Sequence, residues 1–480
     1  MHLLRIGDED NLQTHRRSGD DMNRVAGCLL VILALNSCSM TVQAQPDIVE
    51  EHWYHSYASL TVQVNEWADD YPDFVQLVSA GQTEMGRQQW VVQISDWSVD
   101  ASNLTQAKTM VYIDGGHHGN EHLGTELAFL VAEYYIEGAA AGDATILEVL
   151  RTSEIHIMIM LNADGNDFDT RWNVNQIDLN RNYDHMWSEE ETRSGRGGPF
   201  SEAETRNNAD YMNQYMKNAD LYVTMHTGTW ILAYPWGWTG DMPADWEMFT
   251  HIADTIHETI DDSLPIRNAN AGIYPTHGTS RDYGYGVMGF PTFTFETDDE
   301  QWLLGTIEPL SERMALELDV MKYLIDNANM WRAHLSTEEI LIEDGTLTSI
   351  VSNTGHASTM NATLVASNSL GEVVWSSETF AVNATNSTSI RFEVPENVTS
   401  YDIDWSFEYQ VRVVDASRFV TESISSDIFS FTEPKDDGFL VGFGVFNALT
   451  TTLAFVAVAA LIRKEGEGIE GTCQEITCEN

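Results

Sequence analysis

Basic residues are what this sequence most conspicuously lacks. Its 480 residues include 24 Lys plus Arg against 74 Asp plus Glu, a formal net charge of −50. Nucleic acid and anionic lipid headgroups would repel such a surface, so neither is expected as a partner. A surface this acidic is strongly solvated and suits saline surroundings. Cysteine is also scarce, and Cys28, Cys38, Cys473 and Cys478 all lie near the ends. The body of the chain therefore has neither a disulfide framework nor a thiolate metal cluster. No internal repeat is visible. Core material is plentiful: hydrophobic residues at 43% and aromatics at 10% exclude an intrinsically disordered chain. The length suits one large domain plus a smaller module.

Both ends carry apolar segments. Met22-Asn23-Arg24 opens a basic stretch, Val25 to Leu35 is apolar, and Val42-Gln43-Ala44 offers a small-residue cleavage pattern. Residues 1–44 thus read as an N-terminal extension and signal peptide, with Met22 an alternative start. Leu35-Asn36-Ser37-Cys38 also matches a lipobox, which would attach lipid at Cys38 instead. Gly438 to Ile462 is free of charge and is followed by Arg463 and Lys464. That run is long enough to span a bilayer, and the basic pair would keep the short 463–480 tail inside. A buried core helix is the alternative. The expectation is a chain held at the extracellular face of the membrane by a C-terminal helix, an N-terminal lipid or both, or secreted after processing.

Between these ends the texture changes once. Over residues 47–330, strand-like runs alternate with helical patterns, which predicts an α/β domain with a mixed central sheet flanked by helices. Met110 to Ile113, Ile155 to Leu161, Leu221 to Met225 and Phe290 to Phe295 are the strand candidates. Leu123 to Tyr135 has helical periodicity, and Pro309 to Ala328 predicts a long amphipathic helix closing the domain. Over 338–432, short alternating runs with turn residues between them predict a small all-β sandwich. Examples are Ala362 to Ala366, Glu372 to Trp375, Ser389 to Val394 and Tyr409 to Val414. Four Asn-x-Ser/Thr triplets, at Asn361, Asn383, Asn386 and Asn397, are compatible with an exposed extracellular module. Thr432 to Asp437 reads as a short acidic linker to the apolar span.

Several residues carry chemistry. His118 and Glu121 follow a strand and its Gly-Gly turn, and three positions apart they can aim at one point. Imidazole nitrogen and carboxylate oxygen are both good zinc donors, so the pair could form half of a zinc site. His117 and His122 flank it and are expected at the surface or behind the ligands. A catalytic zinc needs a third protein ligand and leaves a fourth position for water. His226 ends the run Leu221 to Met225; a lone strand-end histidine is more often structural. Glu296 ends a second apolar run, where a buried carboxylate is costly unless it holds or moves a proton. Between them, the run from Arg171 to Asn182 holds two arginines and several asparagines in a chain poor in cations, which suggests an anion site.

These motifs together resemble the zinc carboxypeptidases of the carboxypeptidase A/B/E superfamily. The resemblance covers about residues 50–330. It runs from Tyr54-His55-Ser56-Tyr57 and Tyr71-Pro72 through Gly81 to Ile94, His118-Gly119-Asn120-Glu121 and Asn162 to Gly165. It continues with Arg171 to Asn182, Gly198-Pro199-Phe200-Ser201-Glu202 and His226, and ends at Ile273-Tyr274 and Phe293 to Glu296. It implies a domain of the zinc-carboxypeptidase fold with one zinc ion held by His118, Glu121 and His226. It also implies Glu296 as general base and Arg171 as the group polarising the scissile carbonyl. Asn180 and Arg181 would clamp the substrate's terminal carboxylate, and Tyr274 would close over it. The spacing from Tyr274 to Glu296 equals the family's. The expected substrates are peptide or protein C-termini.

The resemblance also bears on specificity. In the family, the residue seven positions after the closing tyrosine lies at the base of the pocket for the C-terminal side chain. Here it is Arg281, followed by Asp282. A guanidinium there would select C-terminal Glu or Asp; alternatively Arg281 turns aside and pairs with Asp282. No inhibitory pro-domain is expected before Tyr54. The His-Gly-Asn-Glu form and trailing β-module resemble the regulatory carboxypeptidase E/N branch, whereas the sequence after Tyr274 resembles the digestive branch. Two rivals remain at this level. One is a zinc amidohydrolase of the same fold acting on cell-wall peptides or acyl amino acids. The other is a catalytically inactive, peptide-binding surface protein.

Overall fold

A computed structural model describes residues 54–432, apart from 100–103, 105–106, 191–196, 299–306, 396–397, 399–402 and 415–417. The signal segment, all four cysteines, the lipobox, the acidic linker after Thr432, the 438–462 span and the tail lie outside the described residues. Among the described residues no helix is long and apolar enough to cross a membrane. The chain divides into two compact units between Trp331 and Arg332.

The first unit is built on eight strands: β1 (Val75–Gln82), β2 (Gln88–Ile94), β3 (Thr109–Gly115), β4 (Ser153–Met158), β5 (Leu221–Gly228), β6 (Ile231–Tyr234), β7 (Ile266–Asn268) and β8 (Thr292–Asp298). They form one mixed sheet in the order β1-β2-β4-β3-β5-β8-β6-β7. Its centre, β4-β3-β5-β8, is parallel; the β1–β2, β2–β4 and β8–β6 pairs are antiparallel, and β6 and β7 are parallel. Seven of the eight residues of β5 are buried. Such continuous burial is what a parallel strand covered on both faces requires. Helices α1 (Tyr57–Asp70), α2 (His122–Ala140), α3 (Ala144–Thr152), α4 (Ala203–Tyr215), α5 (Trp246–Thr259), α6 (Ser280–Gly286) and α7 (Ile307–Asp326) flank the sheet.

Local chemistry sets where these helices begin. Ser56 and Ser59 form a reciprocal capping box at α1, and the Asp143 carboxylate accepts from the Thr145 and Ile146 amides at α3. Thr279 caps α6 through the Asp282 amide, which puts Arg281 in its first turn. Helix α2 is buried nearly all round, through Leu123, Leu127, Ala128, Val131 and Tyr135 among others. Its approach to β5 depends on Gly124, where a Cβ would fall 2.8 Å from the His226 backbone. Two strand-and-helix boundaries differ from expectation. The Phe290 to Phe295 strand is β8, Thr292–Asp298, shifted past Pro291, which has no N–H to give a ladder. The closing helix spans Ile307–Asp326 rather than Pro309 to Ala328.

The second unit has β9 (Leu335–Glu343), β10 (Thr346–Asn353), β11 (Thr359–Asn368), β12 (Val373–Ser376), β13 (Phe380–Val382), β14 (Ser387–Glu393), β15 (Ile403–Gln410), β16 (Phe419–Ile424) and β17 (Phe429–Thr432). One sheet runs β14-β10-β9-β17 and the other β12-β11-β15-β16, with β13 on β11. A single apolar cluster draws Ile340, Ile342, Leu347 and Val351 from the first sheet and Leu364, Trp405, Phe407 and Tyr409 from the second. The strand expected at Tyr409 to Val414 is instead β15. It ends at Gln410 because the inward alternation of Trp405, Phe407 and Tyr409 sets its register. The first strand begins at Leu335, three residues before the expected boundary at 338.

Candidate active site

The parallel strands β3, β5 and β8 end on the same edge of the sheet, where ligands of open α/β sheets characteristically bind. Three side chains converge there. His118 follows β3 and Glu121 stands immediately before α2, while His226 lies near the C-terminal end of β5. His118 Nδ1 is 2.7 Å from Glu121 Oε1, and His226 Nδ1 is 2.8 Å from Glu121 Oε2 and 3.3 Å from His118 Nδ1. One donor atom from each lies within 4.8 Å of the others. These are the positions a single cation would bridge, and two imidazoles with one carboxylate suit zinc.

The outward nitrogens are engaged as well, which fixes each ring. His118 Nε2 meets Asp178 Oδ1 at 2.9 Å, and His226 Nε2 lies 3.3 Å from Thr224 Oγ1 and 3.2 Å from the Asn180 amide nitrogen. Burial pushes the His226 pKa down to about 4, against the pull of Glu121. That keeps the ring neutral and able to donate a lone pair. Burial acts the same way on His118, but the Glu121 and Asp178 carboxylates outweigh it and raise its pKa. Glu121 is buried too, yet His118 and His226 hold it well below the usual carboxylate range. The residues present therefore fit a divalent cation.

Glu296 faces the same point from the neighbouring strand, since its Cα pairs with that of His226 across β5 and β8. Burial, reinforced by Glu121, raises its pKa to about 8, while His118, Arg171 and Arg281 pull the other way. Arg171 donates from Nε to Asp178 Oδ2 at 3.0 Å and from Nη1 to Glu121 Oε1 at 3.1 Å. Asp178 thus orders both His118 and Arg171. Its place in the Arg171 to Asn182 run is plain in the sequence, but that role is not.

The remaining expected residues lie around this centre. The Asn180 side-chain carbonyl accepts from the Ser280 amide at 3.0 Å. Arg181 donates to Tyr274 Oη at 3.3 Å, and the Tyr274 ring is 52% exposed. Arg281 is buried in α6. It donates from Nε to Asp282 Oδ1 at 3.0 Å, from Nη1 to Thr294 Oγ1 at 3.1 Å and from Nη2 to Thr276 Oγ1 at 3.3 Å. The pairing with Asp282 is therefore present, but Thr294 sits two residues before Glu296 on the same face of β8, so the guanidinium also lies beneath the site. His117 and His122 are both buried and stand outside the donor cluster. His117 Nε2 contacts Tyr183 Oη at 2.7 Å, and His122 Nε2 contacts Asp169 Oδ1 at 3.0 Å while its ring stacks on Tyr54.

Comparison with known proteins agrees with this geometry. A family model described as zinc carboxypeptidase matches residues 61–313, more than half of the chain. Carboxypeptidase B of Astacus astacus is 25% identical over 273 residues, covering 51% of this chain and 86% of that protein. Mast cell carboxypeptidase A of Homo sapiens is 23% identical over 318 residues, covering 59% and 73%. Carboxypeptidase E of Caenorhabditis elegans is 31% identical over a shorter 149 residues, covering 28% and 31%. Among solved structures, thrombin activatable fibrinolysis inhibitor superposes with a TM-score of 0.50 at 20% identity, over 60% of this chain and 78% of that one, which speaks to the fold. With the family model spanning the unit that holds the His118, Glu121 and His226 cluster, this chain belongs to the zinc carboxypeptidase family and is a peptide hydrolase with one zinc ion as its cofactor.

Proposed function

We propose that this enzyme removes single residues from the C-termini of peptides or proteins, with a preference for C-terminal Glu or Asp. The observation carrying the reaction is the convergence of His118, Glu121 and His226 with Glu296 beside them on the next strand. Zinc held by those three side chains would supply Lewis acidity and a bound water of lowered pKa. Glu296 takes the proton from the attacking water and passes it to the leaving amine. Arg171 donates N–H groups to the oxygen on which negative charge develops. Asn180 and Arg181 bind the substrate's terminal carboxylate, and Tyr274, exposed and already touching Arg181, closes over it. Arg281 supports the acidic preference, because an apolar or basic side chain would face its charge without compensation.

The test is release of the terminal residue from peptides that differ only at the C-terminus, with and without a chelator. Glu and Asp should leave at least about tenfold faster than Phe or Lys, the discrimination expected of one charged hydrogen-bonded partner. Chelation should abolish turnover, and Arg281→Leu should erase the preference. Turnover that survives complete metal removal, or faster release of Phe or Lys than of Glu by the unmodified enzyme, would overturn the respective halves of the reading.

We further propose that the enzyme acts outside the cell, held at the membrane face. The apolar run Gly438 to Ile462 with Arg463 and Lys464 behind it supports this.

A further inference from the structure

Behind His226 the buried sheet carries polar side chains. Asp114 on β3 and Thr224 on β5 are fully buried, their Cα atoms pair across the two strands, and His117 is buried beside them. Thr224 and His226, two residues apart, share one face of β5. An ionised carboxylate in such a place is costly unless donors surround it. Asp114 Oδ2 accepts from Asn208 Nδ2 at 2.9 Å and from Tyr222 Oη at 2.7 Å, and Oδ1 lies 3.3 Å from His117 Nδ1. Burial pushes the Asp114 pKa up, but the His117 charge and hydrogen bonds from His117, Tyr222 and Thr224 outweigh it and hold it low.

The contacts decide which group takes the outward proton of His226. Asn180 Oδ1 accepts from the Ser280 amide at 3.0 Å and lies 3.3 Å from Ser280 Oγ, so the Asn180 amide nitrogen is what faces His226 Nε2, at 3.2 Å. An amide nitrogen donates and cannot accept. With Nδ1 turned to a cation beside Glu121 and His118, Nε2 carries the proton. Of the two groups facing it, Thr224 Oγ1, at 3.3 Å, is the one able to accept. His117 closes the arrangement from the side. Its ring stacks on that of His226 with centroids 5.4 Å apart, and its Nδ1 lies 3.3 Å from Thr224 Oγ1. Tyr183 Oη accepts from Asn208 at 2.8 Å and directs its own proton to His117 Nε2 at 2.7 Å. His117 Nδ1 is then a donor, which leaves Asp114 to receive the Thr224 proton.

We propose that Thr224 and Asp114 are positioning residues for the third zinc ligand: the Thr224 hydroxyl accepts from His226 Nε2 and donates to the Asp114 carboxylate. The series fixes which nitrogen of His226 is left for the cation and holds the ring against rotation. Asp178 does the same for His118 directly; here a hydroxyl stands between imidazole and carboxylate. The proposal rests on His226 being a zinc ligand.

The test is zinc affinity, read by competition with a chromophoric chelator, for the full-length enzyme and its Thr224→Val, Thr224→Ser and His226→Ala variants. Valine keeps the shape of threonine and removes the acceptor; serine keeps the hydroxyl. Thr224→Val should bind zinc about 10–100-fold more weakly, the usual cost of losing a partner of a metal-bound histidine. Thr224→Ser should restore the native affinity, and thermal unfolding of the metal-free proteins separates a weakened site from a weakened fold. Native affinity in Thr224→Val, or equal losses in the valine and serine variants, would overturn the proposal. Stoichiometric zinc in His226→Ala would instead overturn the ligand assignment beneath it. Should the valine variant fail to fold, a crystal structure of the zinc-loaded native enzyme decides. Thr224 Oγ1 within hydrogen-bond distance of His226 Nε2 upholds the proposal, and an Asn180 side chain rotated to present its oxygen to Nε2 overturns it.

Discussion

Glu121 and Glu296 share one site yet are driven in opposite directions. Histidine partners hold Glu121 ionised, while burial and the Glu121 charge itself hold the proton on Glu296 up to about pH 8. A cation on the three donors adds positive charge beside Glu296 and favours its ionised form, the form able to take a proton from water. Glu296→Gln should therefore bind zinc stoichiometrically and lose about 10²–10⁴ in kcat, the range for a general acid-base group. Metal analysis with single-turnover kinetics checks this, and a loss below tenfold would reduce Glu296 to a structural part. His118, Glu121, His226 and Glu296 were legible because each sits at a strand end in a motif. Asp178 was not, because it reaches His118 across 60 positions.

Among the elements, the strands that carry the site were the readable ones: β3 and β5 contain the apolar runs Met110 to Ile113 and Leu221 to Val223, and β8 alternates Thr and Phe from Thr292 to Phe295. The β1–β2 hairpin did not stand out as strands. Seven of the eight residues of β1 are only partly buried or exposed in a broken pattern, and its register shifts between Ser79 and Gln82. Helix α7 was legible as amphipathic, but its cost was not. Glu317 lies 1% exposed, and among the described residues neither carboxyl oxygen has a hydrogen-bond partner. Burial raises its pKa to about 8, with Arg313 lowering and Asp298 raising it. The folded state thus keeps a proton that the unfolded chain gives up at ordinary carboxyl pH, so stability falls as pH climbs from there towards 8. Glu317→Leu should remove that loss. Thermal unfolding should show the variant gaining over the native chain by about 1–3 kcal/mol at pH 9, the cost of an unsatisfied buried polar group, and by less at pH 5. An equal or larger gain at pH 5 would show that Glu317 does not hold its proton in the fold.

On the scale of the whole molecule, a net charge of −50 decides how the protein can meet a membrane. The folded units would be repelled by an anionic bilayer surface at low salt, and screening at physiological salt, over about 8 Å, weakens that repulsion without reversing it. The attachment proposed above would therefore have to come from insertion. The run Gly438 to Ile462 is the segment with the length and the lack of charge to do so, while Arg463 and Lys464 set its direction. Under that proposed orientation both units would stand outside, and the enzyme would meet peptides in the medium rather than in the cytoplasm. Protease added to intact cells should degrade the units while a cytoplasmic marker survives, and high salt should not release the full-length chain from the membrane fraction. Protection of both units until the cells are lysed would reverse the placement. Release by salt alone would instead mean that the chain is held by charge, which its composition argues against.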